Sequence, residues 1–565
     1  MAKISAKQLA NERQLRILAG VVSGVIALFI IHHWIQVLYA RTRRSRSSPQ
    51  PAGSSAVVSR FIASSRYIRR ILVKGRTGFP STGHALLVLA YVIVNVLLMF
   101  THLDYSKLNL YAARAGWLAT GNVALLVLLA LKNTPLAFLM GYPHNHLNYF
   151  HQVAGYMTIS LMLLHAALYP PYYVTIKLKP ETLIEKDNVM GIISGSAMFL
   201  ILMSVFFLKR MRYEVFYVAH IVLFIISLVT LGLHRPEWMR SIPVIVLFAG
   251  ALWFSDRLVR GARLLCNMLN NEAKLTVLSG IDDGDKCATR VLLKKPLARA
   301  TPGSHCFLWI PAVRAFETHP FTIVSNGPEG LELVAQAEDG FTRSLYEMAQ
   351  AGKSGVWAAA DGPYGSAPDL TDYSKLVLIA GGSGVTFTLG LALNALERRS
   401  ASTDGEEKQQ QEISLIWATR RIEHTQWFDE HAKTLMSSHN PRVSLAYFIT
   451  ADSSSTMKTS MNSSQDSVSH GNLEGVIGDE SKDGANITAI IADDTRRGSL
   501  LAVRNQKLNL EETVVEAVRP VGKDQRVLVA CCGPERMAKD VRDAVAQCMT
   551  AEGPSITLLC ESFSW

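Results

Sequence analysis

Two stretches decide the fold: residues 147–169, LNYFHQVAGYMTISLMLLHAALY, and residues 215–234, VFYVAHIVLFIISLVTLGLH. Neither holds a charged residue, and each is long enough to cross a bilayer, which takes roughly 20 apolar residues. Each also carries two histidines fourteen residues apart, His151 and His165 in the first, His220 and His234 in the second. At 1.5 Å per residue that spacing is about 21 Å and close to four turns, so both members of a pair share one helix face, one near each membrane surface. Histidine is expensive in a bilayer and needs a reason. Scattered polar residues satisfied by neighbouring helices account for a lone histidine, but poorly for the same spacing twice. One span separates the two stretches, so they run in the same direction, and His151 comes level with His220, His165 with His234. Two rungs result, each able to ligate one haem iron through two imidazoles. His32, His33, His84, His102, His144 and His146 have no such pairing and read as interfacial.

The composition around these stretches divides the chain. At 565 residues it needs two to four domains, and 49% hydrophobic residues with a mean hydropathy of +0.18 is high for a soluble protein. The excess lies before about Ser255, in seven candidate spans: Ile17–Ala40, Ala85–Thr101, Ala115–Leu131, Leu147–Tyr169, Val189–Leu208, Val215–Leu233 and a short Ile242–Phe254. The net charge of +11 is concentrated beside them, as in Arg41, Arg43, Arg44 and Arg46 after the first and Lys209, Arg210 and Arg212 after the fifth. Basic clusters flanking spans mark cytoplasmic loops, so residues 41–82, 132–146, 209–214 and 255 onward face the cytosol. Nothing resembles a basic surface with aromatic platforms, which excludes nucleic acid as a partner. All seven cysteines follow the last span, without metal-ligand pairing, and read as free thiols in a reducing compartment. The N-terminus lacks a cleavage site, so the first span is expected to be retained, behind a short outward segment, residues 1–16.

After the last span the pattern becomes soluble. Short β-type runs, Lys274–Leu278, Thr289–Leu293, Cys306–Ile310 and Leu331–Ala335, predict a small antiparallel barrel over 271–370. At its far side His319-Pro320-Phe321-Thr322 suits a strand at a flavin ring, or a plain strand after proline. Gly340, with Thr342 two residues on, opens a helix whose N-terminus can take a pyrophosphate. From Lys375 the order is strand, Gly381-Gly382-Ser383-Gly384-Val385-Thr386, helix, strand, which predicts an α/β domain over 372–565. Those glycines let a backbone approach a phosphate at a helix N-terminus, or make a tight turn alone. Cys532-Gly533-Pro534 follows a later strand, where a second loop closes over a nicotinamide, and Arg420 ends another strand, placed for a 2′-phosphate or for solvent. Polar insertions near 400–411 and 451–505 should be disordered. Two glycosylation sequons in the second, at Asn462 and Asn486, are read as incidental.

Together these residues resemble the ferric reductase and NADPH oxidase superfamily over about Ala115 to Trp565. The likeness rests on the four histidines, His319–Thr322, Asp361-Gly362-Pro363-Tyr364-Gly365, Gly381–Phe387, Cys532–Pro534 and the terminal Glu561-Ser562-Phe563-Ser564-Trp565. The resemblance implies two b-type haems on the histidines (17–265), FAD on the His-Pro-Phe-Thr strand, and NADPH on the Gly-rich and Cys-Gly-Pro loops. It also implies a terminal aromatic, Phe563 or else Trp565, stacked on the flavin. Equal spacing in both histidine pairs, the extra first span and Asn133-Thr134-Pro135-Leu136 favour the fungal metalloreductases. The implied activity moves electrons from cytosolic NADPH through FAD and both haems to an outer ferric or cupric chelate. Dioxygen is the alternative acceptor, as in a superoxide-generating oxidase, and a haem scaffold without turnover is a third reading. A plasma membrane is expected, a vacuolar or other internal one being the alternative. The sequence does not reveal an oligomer, a metal-transport partner or the outer metal-binding site.

Overall fold

A computed structural model describes residues 6–44, 56–104, 106–142, 144–176, 180–234, 240–278, 287–353, 355–365, 368–401, 410–438, 441–450, 500–504 and 507–561. Its helices, in chain order, are α1 (Ala6–Arg44), α2 (Ala56–Val73), α3 (Thr82–Phe100), α4 (Leu108–Ala130), α5 (Pro135–Met140), α6 (His144–Thr175), α7 (Lys186–Met211), α8 (Tyr213–Leu233), α9 (Ser241–Met268), α10 (Phe341–Gln350), α11 (Val385–Ala401), α12 (Asp429–Met436), α13 (Leu510–Val518) and α14 (Glu535–Cys548). The chain divides into two compact units, one of residues 1–51 and 85–262, the other of 52–84 and 263–565.

In the first unit, seven helices among the described residues are long and apolar enough to cross a membrane: α1, α3, α4, α6, α7, α8 and α9. Their outward faces carry exposed apolar side chains such as Leu28, Leu247 and Phe248, as lipid-facing surfaces do. The central helix is α4, whose Ala112, Ala115, Leu118 and Val123 are buried. Its small residues let neighbouring backbones come close. Residues 6–16 are helical, forming the first turns of α1. The reason is polar. Arg114 on α4 is fully buried and donates to Asn11 Oδ1 at 2.7 Å, and Trp117 donates to Gln8 Oε1 at 2.8 Å. Buried donors need such partners, and α1 extends to supply them. The last span is likewise longer than read, since α9 runs unbroken to Met268.

In the second unit, β1 (Glu272–Leu278), β2 (Ala288–Leu293), β3 (His305–Trp309), β4 (His319–Gly327), β5 (Gly330–Gln336), β6 (Val356–Trp357) and β7 (Ala359–Tyr364) form an antiparallel sheet in the order β6-β1-β2-β5-β4-β3-β7. Its apolar side chains, among them Val291, Leu308, Ile323 and Leu333, close over Phe341 and Leu345 of α10. A second, parallel sheet has the order β11-β10-β9-β8-β12-β13. Its strands are β8 (Lys375–Gly381), β9 (Glu412–Thr419), β10 (Arg442–Ile449), β11 (Leu500–Arg504), β12 (Arg526–Cys532) and β13 (Ser555–Glu561). Alternation in β8 covers both faces: Leu376, Leu378 and Ala380 pack with α11 residues, Val377 and Ile379 with residues of α13 and α14. The expected insertions are shorter than read. Residues 500–504 form β11, parallel to β10, and buried Gln411 donates to the Leu370 and Tyr373 carbonyls at 2.8 Å. Residues 402–409 and 451–499, with both sequons, lie outside the described residues.

Candidate functional site

The structure brings the four histidines together in the expected pairs. Ring centres of His151 and His220 are 6.4 Å apart, and those of His165 and His234 are 6.1 Å apart. Two axial imidazoles on one metal stand about 6 Å apart, from roughly 2 Å per metal–nitrogen bond plus about 1.1 Å from nitrogen to ring centre. The hydrogen bonds fix the tautomers. His151 Nδ1 lies 2.9 Å from the Leu126 carbonyl, His165 Nδ1 2.8 Å from that of Ala112, and His234 Nδ1 2.7 Å from that of Asp187. A carbonyl only accepts, so each Nδ1 donates its proton and Nε2 keeps the lone pair a metal needs. His220 differs: its Nδ1 is buried with no hydrogen-bond partner among the described residues. Two glycines make room for the outer pair. A Cβ on Gly116 would stand 2.6 Å from His165 Nδ1, and one on Gly191 would stand 2.6 Å from His234 Nδ1. The residues fit two bis-histidine irons, and no group of three or more His, Cys, Asp or Glu suited to another metal occurs among the described residues.

The flavin-type residues cluster on β4 and α10. Phe321 and Pro320 pair with Cys306 and Phe307 of β3, and the His319 ring stacks on Phe341 at 4.2 Å. Gly340, at φ 80°, starts α10 with no side chain capping its amides, which leaves them open to an anion. Thr342 hydrogen-bonds within its own turn, its hydroxyl 2.9 Å from the Glu338 amide. In the parallel sheet, Ala380 pairs with Cys532, so Gly381–Thr386 and Cys532–Pro534 meet at the C-terminal ends of neighbouring strands. The chain leaves β8 toward β9 on one side and later returns to β12 on the other, and such a switch point is where parallel sheets bind ligands. The fit is close: a Cβ on Gly384 would collide with the Cys532 carbonyl, while Gly382 takes φ 56° and Trp417 donates to its carbonyl at 2.9 Å. Flavin strand and nucleotide helix touch too, since a Cβ on Gly390 of α11 would lie 2.9 Å from the Ile323 carbonyl of β4. Arg420 follows β9 directly and is exposed. Phe563 and Trp565 lie outside the described residues; β13 ends at Glu561, paired with Cys532.

The sequence reading missed the role of α2, which it took as part of a basic loop. Arg66 Nη1 donates to the carbonyls of Ala551 and Gly553 at 2.7 and 2.8 Å and to that of Thr550 at 3.2 Å, just past the end of α14. Arg69 donates to the Ile556 carbonyl of β13 at 3.1 Å, and the Gly75 amide to Asp543 Oδ1 at 2.9 Å. The several N–H donors of a guanidinium suit a loop that turns its carbonyls toward one point. The signal was available, as apolar positions at helical spacing among the arginines of residues 56–73. A second anchor is Asp361, fully buried, which pairs with Arg263 at 3.0 Å and accepts from the Tyr364 hydroxyl at 2.8 Å. All seven cysteines are free, and burial pushes the thiols of Cys306, Cys531, Cys532 and Cys560 up, away from reactivity.

These elements define a class: apolar helices long enough to span a membrane, an antiparallel sheet and a parallel α/β sheet in one chain. Family descriptions match the same three parts. Residues 115–231 match the ferric reductase like transmembrane component, 284–368 an FAD-binding domain, and 373–546 the ferric reductase NAD binding domain. One chain thus carries matches to the transmembrane, FAD-binding and NAD-binding parts of ferric reductases. It is 29% identical to a probable cell surface ferric reductase of Aspergillus oryzae, over 64% of this chain and 51% of that protein. It is 26% identical to ferric reductase transmembrane component 3 of Saccharomyces cerevisiae, over 85% of this chain and 69% of that one. The chain thus spans about half of the first relative's length. A ferredoxin NADP+ reductase of Neisseria gonorrhoeae aligns with 52% of this chain and 98% of its own at 14% identity and a TM-score of 0.31, too low to carry weight.

Proposed function

We propose that this protein is a transmembrane ferric-chelate reductase, taking electrons from cytosolic NADPH through FAD and two b-type haems to a ferric or cupric chelate on the outer side. The observation that carries the reading is the pair of histidine rungs, 6.4 and 6.1 Å between ring centres, with three of four Nδ1 atoms held by carbonyls. His151 and His220 would hold the inner haem, His165 and His234 the outer. When bound, FAD takes the two electrons of a hydride and releases them singly, and the haem irons carry one electron at a time. The chain's own residues do the positioning. Strand β4 would present His319–Thr322 to FAD, the uncapped amides after Gly340 would take its pyrophosphate, and Gly381–Thr386 with Cys532–Pro534 would hold the dinucleotide. Arg420 would favour NADPH by pairing with the 2′-phosphate, and Phe563 or Trp565 would cover the flavin until nicotinamide enters. Basic loops beside the spans support a cytosolic dehydrogenase half. The cell-surface relative supports a plasma membrane.

The test is NADPH-driven reduction of ferric and cupric chelates by purified protein, with haem spectra, with and without superoxide dismutase. Replacing His165 or His234 is expected to abolish chelate reduction while NADPH still reduces the flavin. Loss of wild-type chelate reduction on adding dismutase would overturn the reading in favour of dioxygen.

A further inference from the structure

The histidine seam of α6 does not stop at His165. Tyr169 and Tyr173, four and eight residues on, continue the same face, and Tyr172 lies beside them. The rings touch in sequence: His165 to Tyr169 at 4.9 Å, Tyr169 to Tyr173 at 5.4 Å, and Tyr172 to Tyr173 at 5.9 Å. The eight residues from His165 to Tyr173 extend the seam by about 12 Å beyond the outer rung. All three tyrosines are half-buried, so each keeps an accessible part. The same turn contains Pro170 and Pro171 inside the helix. Proline has no amide hydrogen, so the carbonyls four residues earlier, Ala166 and Ala167, lose their intrahelical donors. Such carbonyls are tolerated at membrane depth only where protein or a wet cavity satisfies them. An aromatic cluster and freed backbone acceptors therefore sit together beside the outer rung. Basic residues of the outward segments, among them Lys7, Lys107, Arg235 and Arg240, outnumber the acidic ones, which favours an anionic visitor.

We propose that Tyr169, Tyr172 and Tyr173 form the platform on which the electron acceptor docks, and that it selects anionic metal chelates whose ligands present aromatic rings. The inference rests on the functional reading above and names its missing substrate site. Ring-on-ring stacking supplies the selectivity, and phenol hydroxyls meet the chelate's oxygens. The alternative is an interfacial aromatic belt with no ligand.

Binding and turnover are measured separately, on the full chain in lipid nanodiscs. Gallium(III) complexes of dihydroxybenzoate and of EDTA serve as redox-inert probes, one with rings and one without. Each stacking contact is worth a few-fold to about tenfold in affinity. The double variant Tyr172→Leu/Tyr173→Leu is expected to weaken the ring-bearing probe roughly tenfold and to leave the EDTA complex within about twofold. The Tyr172→Phe/Tyr173→Phe variant, which keeps both rings, is expected to retain most of the binding. Haem spectra check that His165, which touches Tyr169, is undisturbed. The KM for ferric dihydroxybenzoate should rise as the gallium affinity falls, with kcat held. Equal weakening of both probes, or of neither, overturns the platform and leaves the belt. If wild type prefers the ring-bearing probe yet reduces no ferric chelate, the platform stands and the reductase reading fails.

Discussion

A methyl group at Gly191 is expected to remove the outer haem and spare the inner one. In Gly191→Ala the new Cβ would lie 2.6 Å from His234 Nδ1 and 2.7 Å from Cε1, where ordinary contact begins at 3.4 Å. The imidazole must retreat by about 0.8 Å, which is several times the roughly 0.2 Å that metal–ligand distances tolerate. The same methyl crowds the exposed bond from Nδ1 to the Asp187 carbonyl, now 2.7 Å, and losing such a bond costs about 0.5–1.5 kcal/mol. Gly116→Ala does the same to His165, so two substitutions on different helices converge on one haem. The assay is haem per chain by pyridine haemochrome, with reduced-minus-oxidised spectra after NADPH or dithionite. Wild type should hold about two haems per chain and either variant about one, with flavin reduction intact. Gly155→Ala is the control, since its Cβ would meet Leu126 Cδ1 at an ordinary 3.6 Å. Full haem content with unaltered spectra in Gly191→Ala would refute the placement of the His234 ring.

Arg263→Met should destabilise more than Asp361→Asn, about 3–5 against about 1–2 kcal/mol, because it strands a carboxylate with no exposure whereas the guanidinium, 30% exposed, reaches water; thermal unfolding of the two proteins checks the order. Glu332 gives an acid limb to stability: burial pushes its carboxyl up, but bonds from His431 and Ser325 and the charges of His431 and Arg290 outweigh that and hold it below its ordinary 4.5. A group lowered by folding stabilises fully above its unfolded value and stops doing so as pH falls through the folded one, so melting temperature should drop below about pH 4.5. Glu332→Gln should flatten that drop. Gly384→Ala puts a Cβ into the Cys532 carbonyl and should part the two nucleotide loops, raising the KM for NADPH roughly tenfold or more while FAD content stays full; unchanged KM would show that the loops need not touch.

What the sequence disclosed was periodic or local. Fourteen-residue spacing is a property of one helix, so the histidine rungs were legible once two co-directional spans were counted. The run from Leu376 through Gly384 announced strand, turn and helix within a few residues, and β8 and α11 follow it. Long-range pairings were not legible. Arg66 finds its carbonyls more than 480 residues away, and nothing near Arg66 names them. The first turns of α1 looked too polar for a span, because the buried Arg114 that calls for Asn11 lies 103 residues on. Strand β11 hid at the end of a polar stretch, since an edge strand of five residues carries little pattern.

The grip of α2 on α14 and β13 bears on how such a chain is made. The unit that binds the nucleotide includes residues 52–84, which leave the ribosome before most of the spans, while residues 543–556, which they hold, come several hundred residues later. The nucleotide domain therefore closes only after residues 543–556 have been made, later than all seven candidate spans. Expressed alone, residues 263–565 would bare the carbonyls that Arg66 and Arg69 cover. Dividing this protein into a membrane half and a soluble half cuts through one of its folding units.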